Sequence, residues 1–539
     1  MRRRIVLVAL GATAIVAGLC LYVALSVALD LTTARRVLFK DPQRLETADV
    51  NEARERLDRA AETLESPPAK LVGWLPVVHQ NFAAVQAVVE DAGPLLRAAQ
   101  KLAHAVQAAR DEDVVEDGAV DLDLVTRLEE PLREQGAAAG DLADTVEAHR
   151  NGWLLPLLWS EMDELAARVR GLEGSTRTAA ELTSLAPQMF GRDGDRTYLV
   201  ALMNNTELRG AGGILSGVGS VTVRGGRMSL GEFTHYGALA DDPPFRKVPA
   251  PPDFERHFGT YKADTTRWVT ATSSPDLPDV ALVARRLFQK TAGVDTDGVI
   301  FVDPRGLAAM MPPEVELEVP TTDTSLTAAE LPLYVYRDAY SELGGGAARR
   351  RDSLIGLGAE AFDVILKRGF NRPAVIRSTA EAFAGGHISM VSFDPEEAGA
   401  LDRAGLSRDL GDPVYDGALA TVQNVGGNKL DSYARRSVHH ACRIDGENPT
   451  RCVTDVAIAN HTPPGLSRFE HQYLPYGLFK NVVEIYVPKE AELASVETDG
   501  ERADFFEADE DGFSAVGVYV ELPRNQRTEV SVVYELPPA

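Results

Sequence analysis

The stretch from residue 196 to residue 223 constrains the fold of this 539-residue chain more than any other. It begins with an unbroken apolar run, Tyr198 to Met203, which lacks the alternation of a half-exposed strand. Such a run predicts a strand buried on both faces, as in a sheet covered by helices. The next apolar stretch, Ile214 to Val223, leads through a glycine turn into a shorter one, which predicts a hairpin.

A group of polar residues and glycines separates these two stretches. Polar groups beyond the carboxyl end of a buried strand occupy the usual ligand position of open α/β sheets. The ligand-binding candidates here are Asn204, Asn205, Glu207, Arg209, Gly212 and Gly213. The glycines allow a sharp turn or a close approach of a ligand to the backbone. A second interpretation stays open, in which the asparagines cap a loop and Arg209 pairs with Glu207.

Composition limits the class of function. The formal net charge of −25 argues against binding nucleic acid over a broad surface, which needs clustered Lys and Arg. Three cysteines cannot form a zinc-finger framework and no HExxH motif occurs, so no metal ligands are predicted. The length predicts two or three domains.

The N-terminus predicts a membrane anchor over residues 1–30. Three arginines precede an uncharged apolar run from Ile5 to Leu29. At about 1.5 Å per residue, such a helix can cross a hydrocarbon core of roughly 30 Å. The arginines favour a cytoplasmic N-terminus. Cleavage of the segment at Ser26–Ala28 is the alternative.

Two cysteines indicate the compartment. Cys442 and Cys452 flank a turn-like segment, residues 445–449, in a strand-like region. A hairpin there would place them opposite each other, and a disulfide would fit an oxidising, extracytoplasmic location for the bulk of the chain. Two separate buried thiols are the alternative.

The rest of the chain divides by pattern. Residues 31–190 show helical periodicity and predict a helical stalk or bundle close to the membrane. Residues 191–411 alternate strands with helices and predict an α/β domain. Short alternating strands over residues 412–539 predict an antiparallel β-sandwich. The predicted fold class is therefore α/β, with appended helical and β parts.

A second candidate site precedes a predicted helix. Three glycines, Gly344 to Gly346, are followed by Arg349, Arg350 and Arg351. The free N–H groups of a helix start favour an anion, and guanidinium groups suit phosphate. A flexible loop beside a solvated basic turn is the alternative.

Several segments carry a resemblance to a known family. They are NNTELRGAGG (Asn204–Gly213), SSPDLPDVA (Ser273–Ala281), GVIFVDPRGLAAMM (Gly298–Met311), GGHISMVSFDPEEAGALDRAGL (Gly385–Leu406) and GGNKLDSY (Gly426–Tyr433). In these segments the chain resembles the Domain-of-Unknown-Function-4012 family of bacterial membrane-anchored proteins. The resemblance covers the chain from about Arg192 onward and implies no defined activity.

The core is also distantly similar to LytR-CpsA-Psr proteins. That resemblance implies an α/β/α domain outside the membrane that transfers glycopolymers from polyprenyl-pyrophosphate carriers to the cell wall. It carries over to Arg209 and to Arg349–Arg351 as pyrophosphate ligands. In the first turn an asparagine stands where that family has an aspartate, and Gly212–Leu215 replaces a segment with an arginine and a metal-binding aspartate. Mg²⁺ is therefore expected only if Glu207 substitutes.

Two functions follow as hypotheses. In the first, the protein is an extracytoplasmic cell-envelope factor that binds a phosphate-containing lipid-linked glycan, a cell-wall polymer or an envelope partner, without a cofactor. In the second, it is a phosphotransferase that acts on polyprenyl-pyrophosphate-linked glycopolymers with Mg²⁺. The missing aspartates favour the first.

Overall fold

The fold is known from a computed structural model. It describes residues 47–73, 78–111, 114–116, 118–150, 154–239, 247–259, 265, 267–343, 346–368, 373–411, 417–443, 450–471 and 474–537. The chain forms two compact units, one of Met1–Val114 with Asp121–Met189, the other of Val115–Val120 with Phe190–Ala539. The predicted anchor, residues 1–30, lies outside the described residues. Within the described ranges, no helix is long and apolar enough to cross a membrane.

The first unit is helical. Its helices are α1 (Thr47–Glu65), α2 (Pro67–Gly73), α3 (His79–Asp111), α4 (Leu122–His149) and α5 (Pro156–Met189). Apolar residues three and four positions apart on these helices form one shared core, in which Leu57, Leu95, Leu142 and Val169 are at most 3% exposed. Asp121 caps α4 by accepting hydrogen bonds from the N–H groups of residues 123 and 124.

The second unit contains a mixed sheet. Its strands are β1 (Val115–Glu116), β2 (Ala119–Val120), β3 (Arg196–Asn204), β4 (Ile214–Arg224), β5 (Arg227–Leu230), β6 (Thr234–His235), β7 (Gly298–Val302) and β10 (Ile388–Ser392). Their order in the sheet is β1-β2-β5-β4-β3-β7-β10, and β6 pairs with β4. The strands β3 and β7 are parallel, and the other pairs are antiparallel. The predicted hairpin is confirmed as β4–β5, and Gly225 and Gly226 adopt positive φ in its turn.

The apolar run of β3 is buried on both faces, as predicted. Tyr198, Val200 and Leu202 belong to one core cluster. The alternate residues, Leu199, Ala201 and Met203, belong to a second cluster on the other face. Successive side chains of a strand point to opposite faces, so only a sheet covered on both sides makes every position apolar.

Helices cover both faces of this sheet. They are α7 (Leu277–Ala292), α8 (Pro304–Met310), α9 (Ala347–Arg368), α10 (Pro373–Ala384) and α11 (Pro395–Arg403), with helical turns also at Leu331–Leu333, Tyr334–Asp338 and Ala339–Glu342. The helix that precedes them, α6 (Pro252–Gly259), instead contacts Phe506–Glu510 in the C-terminal part. The apolar face of α7 packs in the cluster around Leu199, whereas Ile355 and Phe362 of α9 pack in the cluster around Val200. A small ribbon, β8 (Glu316–Glu318) with β9 (Ser325–Thr327), adjoins α9.

The C-terminal part consists of two antiparallel sheets. One has the order β11-β14-β18-β17 and the other β12-β13-β19-β15-β16. The strands are β11 (Leu419–Asn424), β12 (Ala434–Arg443), β13 (Thr450–Asn460), β14 (Phe479–Pro488), β15 (Glu492–Thr498), β16 (Glu501–Arg502), β17 (Phe506–Glu510), β18 (Phe513–Leu522) and β19 (Arg527–Leu536). Val483 and Val516 of the first sheet share a core with Val530 and Val532 of the second.

The predicted disulfide is confirmed. Cys442 on β12 lies directly opposite Cys452 on β13, with 4.1 Å between the Cα atoms, and the two sulfurs are bonded. The bridge therefore joins two directly paired positions of neighbouring antiparallel strands. The alternative of two separate thiols is therefore wrong. The turn that joins the strands, residues 444–449, lies outside the described residues.

Candidate functional site

The turn after β3 is held by its own side chains. Asn204 is buried, and its Oδ1 accepts hydrogen bonds from the N–H group (3.0 Å) and the hydroxyl (2.7 Å) of Thr206. Asn205 donates to the carbonyl of Gly212 at 3.1 Å and accepts from the hydroxyl of Tyr336 at 3.0 Å. The asparagines therefore cap the loop, as the second interpretation from the sequence has it.

At two of the predicted positions, Gly212 and Gly213, the loop requires glycine. A Cβ atom at Gly213 would lie 2.7 Å from the backbone of Asn204, and Gly212 has a φ of +110°. Any other residue at 213 would force the backbone apart, and a side chain at 212 would be strained. These positions let the loop fold back on the strand end.

Glu207 and Arg209 form a partly buried ion pair of 2.6 Å, and Lys429 binds the other oxygen of the same carboxylate. Burial alone would raise the pKa of Glu207, but Lys429 and Arg209 lower it below its usual value. Arg209 also donates to the carbonyl of Asn424 at 2.8 Å. Both oxygens of Glu207 are thus engaged by cations, which gives no support to Glu207 as a metal ligand.

A cavity of about 340 Å³ brings most of the predicted arginines together. We call it the inner cavity. Arg209, Arg350, Arg351 and Lys429 contribute its cationic lining. Its apolar lining comes from Leu202, Leu307, Leu331, Leu354, Ile355 and Leu357. The volume lies in the range of sites for small ligands.

The three predicted arginines of α9 point in different directions. Arg349 does not line the inner cavity, since its Nη2 donates to the carbonyl of Thr321 at 2.5 Å. Arg350 lies over the rings of Tyr340 (5.0 Å) and Phe469 (4.7 Å), and its Nη1 has no hydrogen-bond partner among the described residues. Arg351 is exposed. Gly344 and Gly345, the first two glycines of the predicted anion site, lie outside the described residues.

The inner cavity has a positive field. His235 lines this cavity, and burial together with the charges of Arg351 and Lys429 lowers its pKa to about 4. Burial also lowers the pKa of Arg350 from its usual value. A desolvated guanidinium with an unused N–H group favours the approach of an anion.

The strand β3, its turn and the loop after β7 lie in a part of the chain that is similar to a known family. Residues 193–340 match the family model described as protein of unknown function, DUF4012. The matched range includes Asn204–Gly213 and ends before Arg349. No curated protein and no solved structure gives a significant match. The match supports the resemblance to this family and brings no activity with it.

A second opening lies beside the inner cavity, and part of its lining comes from the matched range, residues 193–340. We call it the outer cleft; its volume is about 930 Å³. Arg209 and Asp303 line both openings, whereas Asn205 and Gly212 line the outer cleft only. Its further charged residues, none of them a candidate from the sequence, are Arg305, His387, Arg408, Asp409, Asp431 and Arg436. They come from distant helices, strands and loops, so no local pattern connects them.

One acidic cluster lies at the start of α7 and includes one residue of the C-terminal part. Carboxylate oxygens of Asp276, Asp279 and Asp511 all lie within 4.8 Å of one another. Burial, together with the neighbouring carboxylates, raises the pKa of Asp276 to about 6 and that of Asp279 to about 7. Protons therefore bind here near neutral pH. No sequence pattern predicted such a group, because Asp511 is remote in sequence.

Proposed function

We propose that this chain is a membrane-anchored, extracytoplasmic envelope protein that binds a phosphate-bearing lipid or lipid-linked glycan in the inner cavity. The observation that carries the proposal is the combination of an apolar lining with four cationic side chains in one cavity. A ligand with an apolar chain and an anionic head matches both parts. A polyprenyl phosphate is a ligand of that kind.

The charged residues that line the inner cavity favour a ligand with an anionic head. Arg209 and Lys429 share the single carboxylate of Glu207, and Asp303 is the other acid of the lining. No ion pair of Arg350 or Arg351 occurs in the described part of the chain. These two arginines are therefore the best candidates for ligands of phosphate. Arg209 and Lys429 are weaker candidates, because both are already paired with Glu207.

The location rests on two features. The apolar segment within residues 1–30 provides the anchor, and the Cys442–Cys452 disulfide fits an oxidising compartment. We propose that the N-terminus is cytoplasmic and the bulk of the chain is outside. External protease added to cells without a wall should then degrade the C-terminal sheets. Full protection of these sheets would reject the orientation.

Relation to the LytR-CpsA-Psr proteins is part of the proposal. Helices on both faces of a sheet with a parallel central pair, β3–β7, agree with such a core. We propose binding rather than phosphoryl transfer, because an aspartate is absent from the first turn and Glu207 is engaged by Arg209 and Lys429. A metal-independent interaction is expected.

Titration calorimetry with geranyl pyrophosphate tests the proposal, using the full-length chain in a non-ionic detergent. Geranyl pyrophosphate should bind more tightly than inorganic pyrophosphate or geraniol, since only it has both parts. Arg351→Ala should weaken binding about ten-fold or more. Arg349→Ala, two positions away and outside the cavity, is the matched control and should bind like the wild type. Equal losses in both variants, or no binding by the wild type, would contradict the proposal.

A further inference from the structure

The outer cleft lies where three strands of the mixed sheet meet. Because β3 and β7 are parallel, their carboxyl ends, before Asn205 and Asp303, lie at the same edge. The strand β10 is antiparallel to β7, so it begins at that edge, and the N–H group of Asp303 donates to the carbonyl of His387 at 3.1 Å. This edge is the usual ligand position of an open α/β sheet.

An acid–imidazole pair is fixed there. Oδ1 of Asp303 caps α8 by accepting from the N–H groups of Arg305 (2.8 Å) and Gly306 (2.9 Å). Its Oδ2 lies 2.7 Å from Nδ1 of His387. The carboxylate holds the ring by Nδ1, so Nε2 is left for a ligand. The His387 side chain is 30% exposed and lines the outer cleft.

Arg408 lies beside this pair without an acidic partner. The only hydrogen bond of its guanidinium in the described part of the chain is a long one, 3.4 Å, to the carbonyl of Ala211. A Cβ atom at Gly386 would lie 3.5 Å from its Cζ, and one at Gly212 3.8 Å from its Nη1. The two glycines thus let the guanidinium pack against the backbone next to His387.

The charged groups at this edge of the sheet shift the pKa values of their neighbours. Burial lowers the pKa of Arg408, and the charge of Asp303 acts in the opposite direction. Burial raises the pKa of Tyr336, while Asp303 raises it further and Arg305 lowers it. Asp409 and Asp431 also line the cleft, yet neither forms an ion pair with Arg408 in the described part of the chain.

We propose that the outer cleft is a second anion site, in which Arg408 and Nε2 of His387 bind a phosphate group. The guanidinium offers N–H donors to a tetrahedral oxyanion, and Nε2 of the ring can form a hydrogen bond with an oxygen or a hydroxyl of phosphate. The phosphate can belong to free inorganic phosphate or to a phosphorylated sugar. The open cleft has room for a sugar ring. Arg209 and Asp303 line the inner cavity as well, but Arg408 and His387 line the outer cleft only, so the proposal does not depend on the function proposed for the inner cavity.

The test measures binding of inorganic phosphate and of glucose 1-phosphate by calorimetry, with the full-length chain in a non-ionic detergent. The parent protein carries Arg351→Ala, which weakens the inner cavity. In this parent, Arg408→Gln should weaken binding about ten-fold or more, and His387→Gln should also weaken it. Arg349→Ala is the control and should change nothing. Tighter binding of glucose 1-phosphate than of phosphate would identify a sugar phosphate as the ligand class.

Two outcomes would overturn the inference. One is the absence of phosphate binding by the parent; the other is unchanged binding in Arg408→Gln. Arg408→Lys keeps a positive charge and should give a smaller loss, which separates charge from fork geometry. Near-ultraviolet circular dichroism of each variant verifies the fold. Failure of geranyl pyrophosphate to bind the wild type would reject only the function proposed for the inner cavity. The outer cleft is tested with other ligands, inorganic phosphate and glucose 1-phosphate.

Discussion

Lys429 and Glu207 form an ion pair although 222 positions separate them in the sequence. The lysine comes from the loop before β12, and the carboxylate comes from the turn after β3. Burial alone would lower the pKa of Lys429, but Glu207 raises it above its usual value. The pair connects the C-terminal part to the candidate site, and Arg209 binds the other oxygen of the same carboxylate.

Arg209→Ala should destabilise the fold as well as the site. The sequence alone presents this residue as a ligand candidate. Here it is 13% exposed and donates to Glu207 and to the carbonyl of Asn424, so its loss leaves buried acceptors unsatisfied. We expect a loss of about 1–3 kcal/mol in the free energy of unfolding, measured with urea. The exposed Arg349→Ala should change it by less than about 0.5 kcal/mol.

A buried histidine couples α6 to a C-terminal sheet. His257 is fully buried, and its two ring nitrogens lie 2.8 Å from Glu484 and 2.8 Å from Glu510. Burial alone would lower its pKa, but the two carboxylates raise it to about 9. Because the folded pKa lies above the unfolded one, the stabilisation is present below about pH 6.5 and is lost as the pH rises through 9.

His257→Ala should therefore destabilise the protein strongly at neutral pH, by about 3–5 kcal/mol, because it leaves two buried carboxylates without their cation. Urea unfolding between pH 6 and 10 measures it. The difference between wild type and variant should shrink towards the alkaline end. A difference that does not vary with pH would show that His257 is neutral in the fold.

The acidic cluster predicts a second pH effect. The folded pKa values of Asp276, about 6, and Asp279, about 7, lie above the usual value for aspartate. Their contribution to stability is therefore present at low pH and is lost as the pH rises through 6 to 7. Asp279→Asn should raise the midpoint of thermal unfolding more at pH 8 than at pH 5, because the loss begins above the usual pKa of 3.8 and is complete only above 7. The exposed Glu360→Gln should shift it at neither pH.

The disulfide predicts a redox effect on stability. The bond closes a loop with a sequence separation of 10, for which loop-closure entropy gives roughly 2–3 kcal/mol. Reduction with dithiothreitol should lower the free energy of unfolding by that amount, and Cys442→Ser should reproduce the loss. Reduction should not affect the serine variant further. Non-reducing peptide mapping should recover Cys442 and Cys452 linked.

The sequence by itself determined the features that depend on neighbouring residues. The apolar run of β3 predicted burial on both faces, because strand geometry sends alternate side chains to opposite cores. Glycines marked the β4–β5 turn, and the spacing of Cys442 and Cys452 around a turn placed them opposite each other.

Only the tertiary structure decided which side chains meet. Arg349, Arg350 and Arg351 are equivalent in sequence, yet one hydrogen bonds to Thr321 and two line the inner cavity, because successive helix positions differ by about 100°. The partner of Glu207 comes from 222 positions away, and Asp303 meets His387 because β10 pairs with β7. Such contacts depend on strand order and register, which are set by the packing of the whole domain and leave no local trace in the chain.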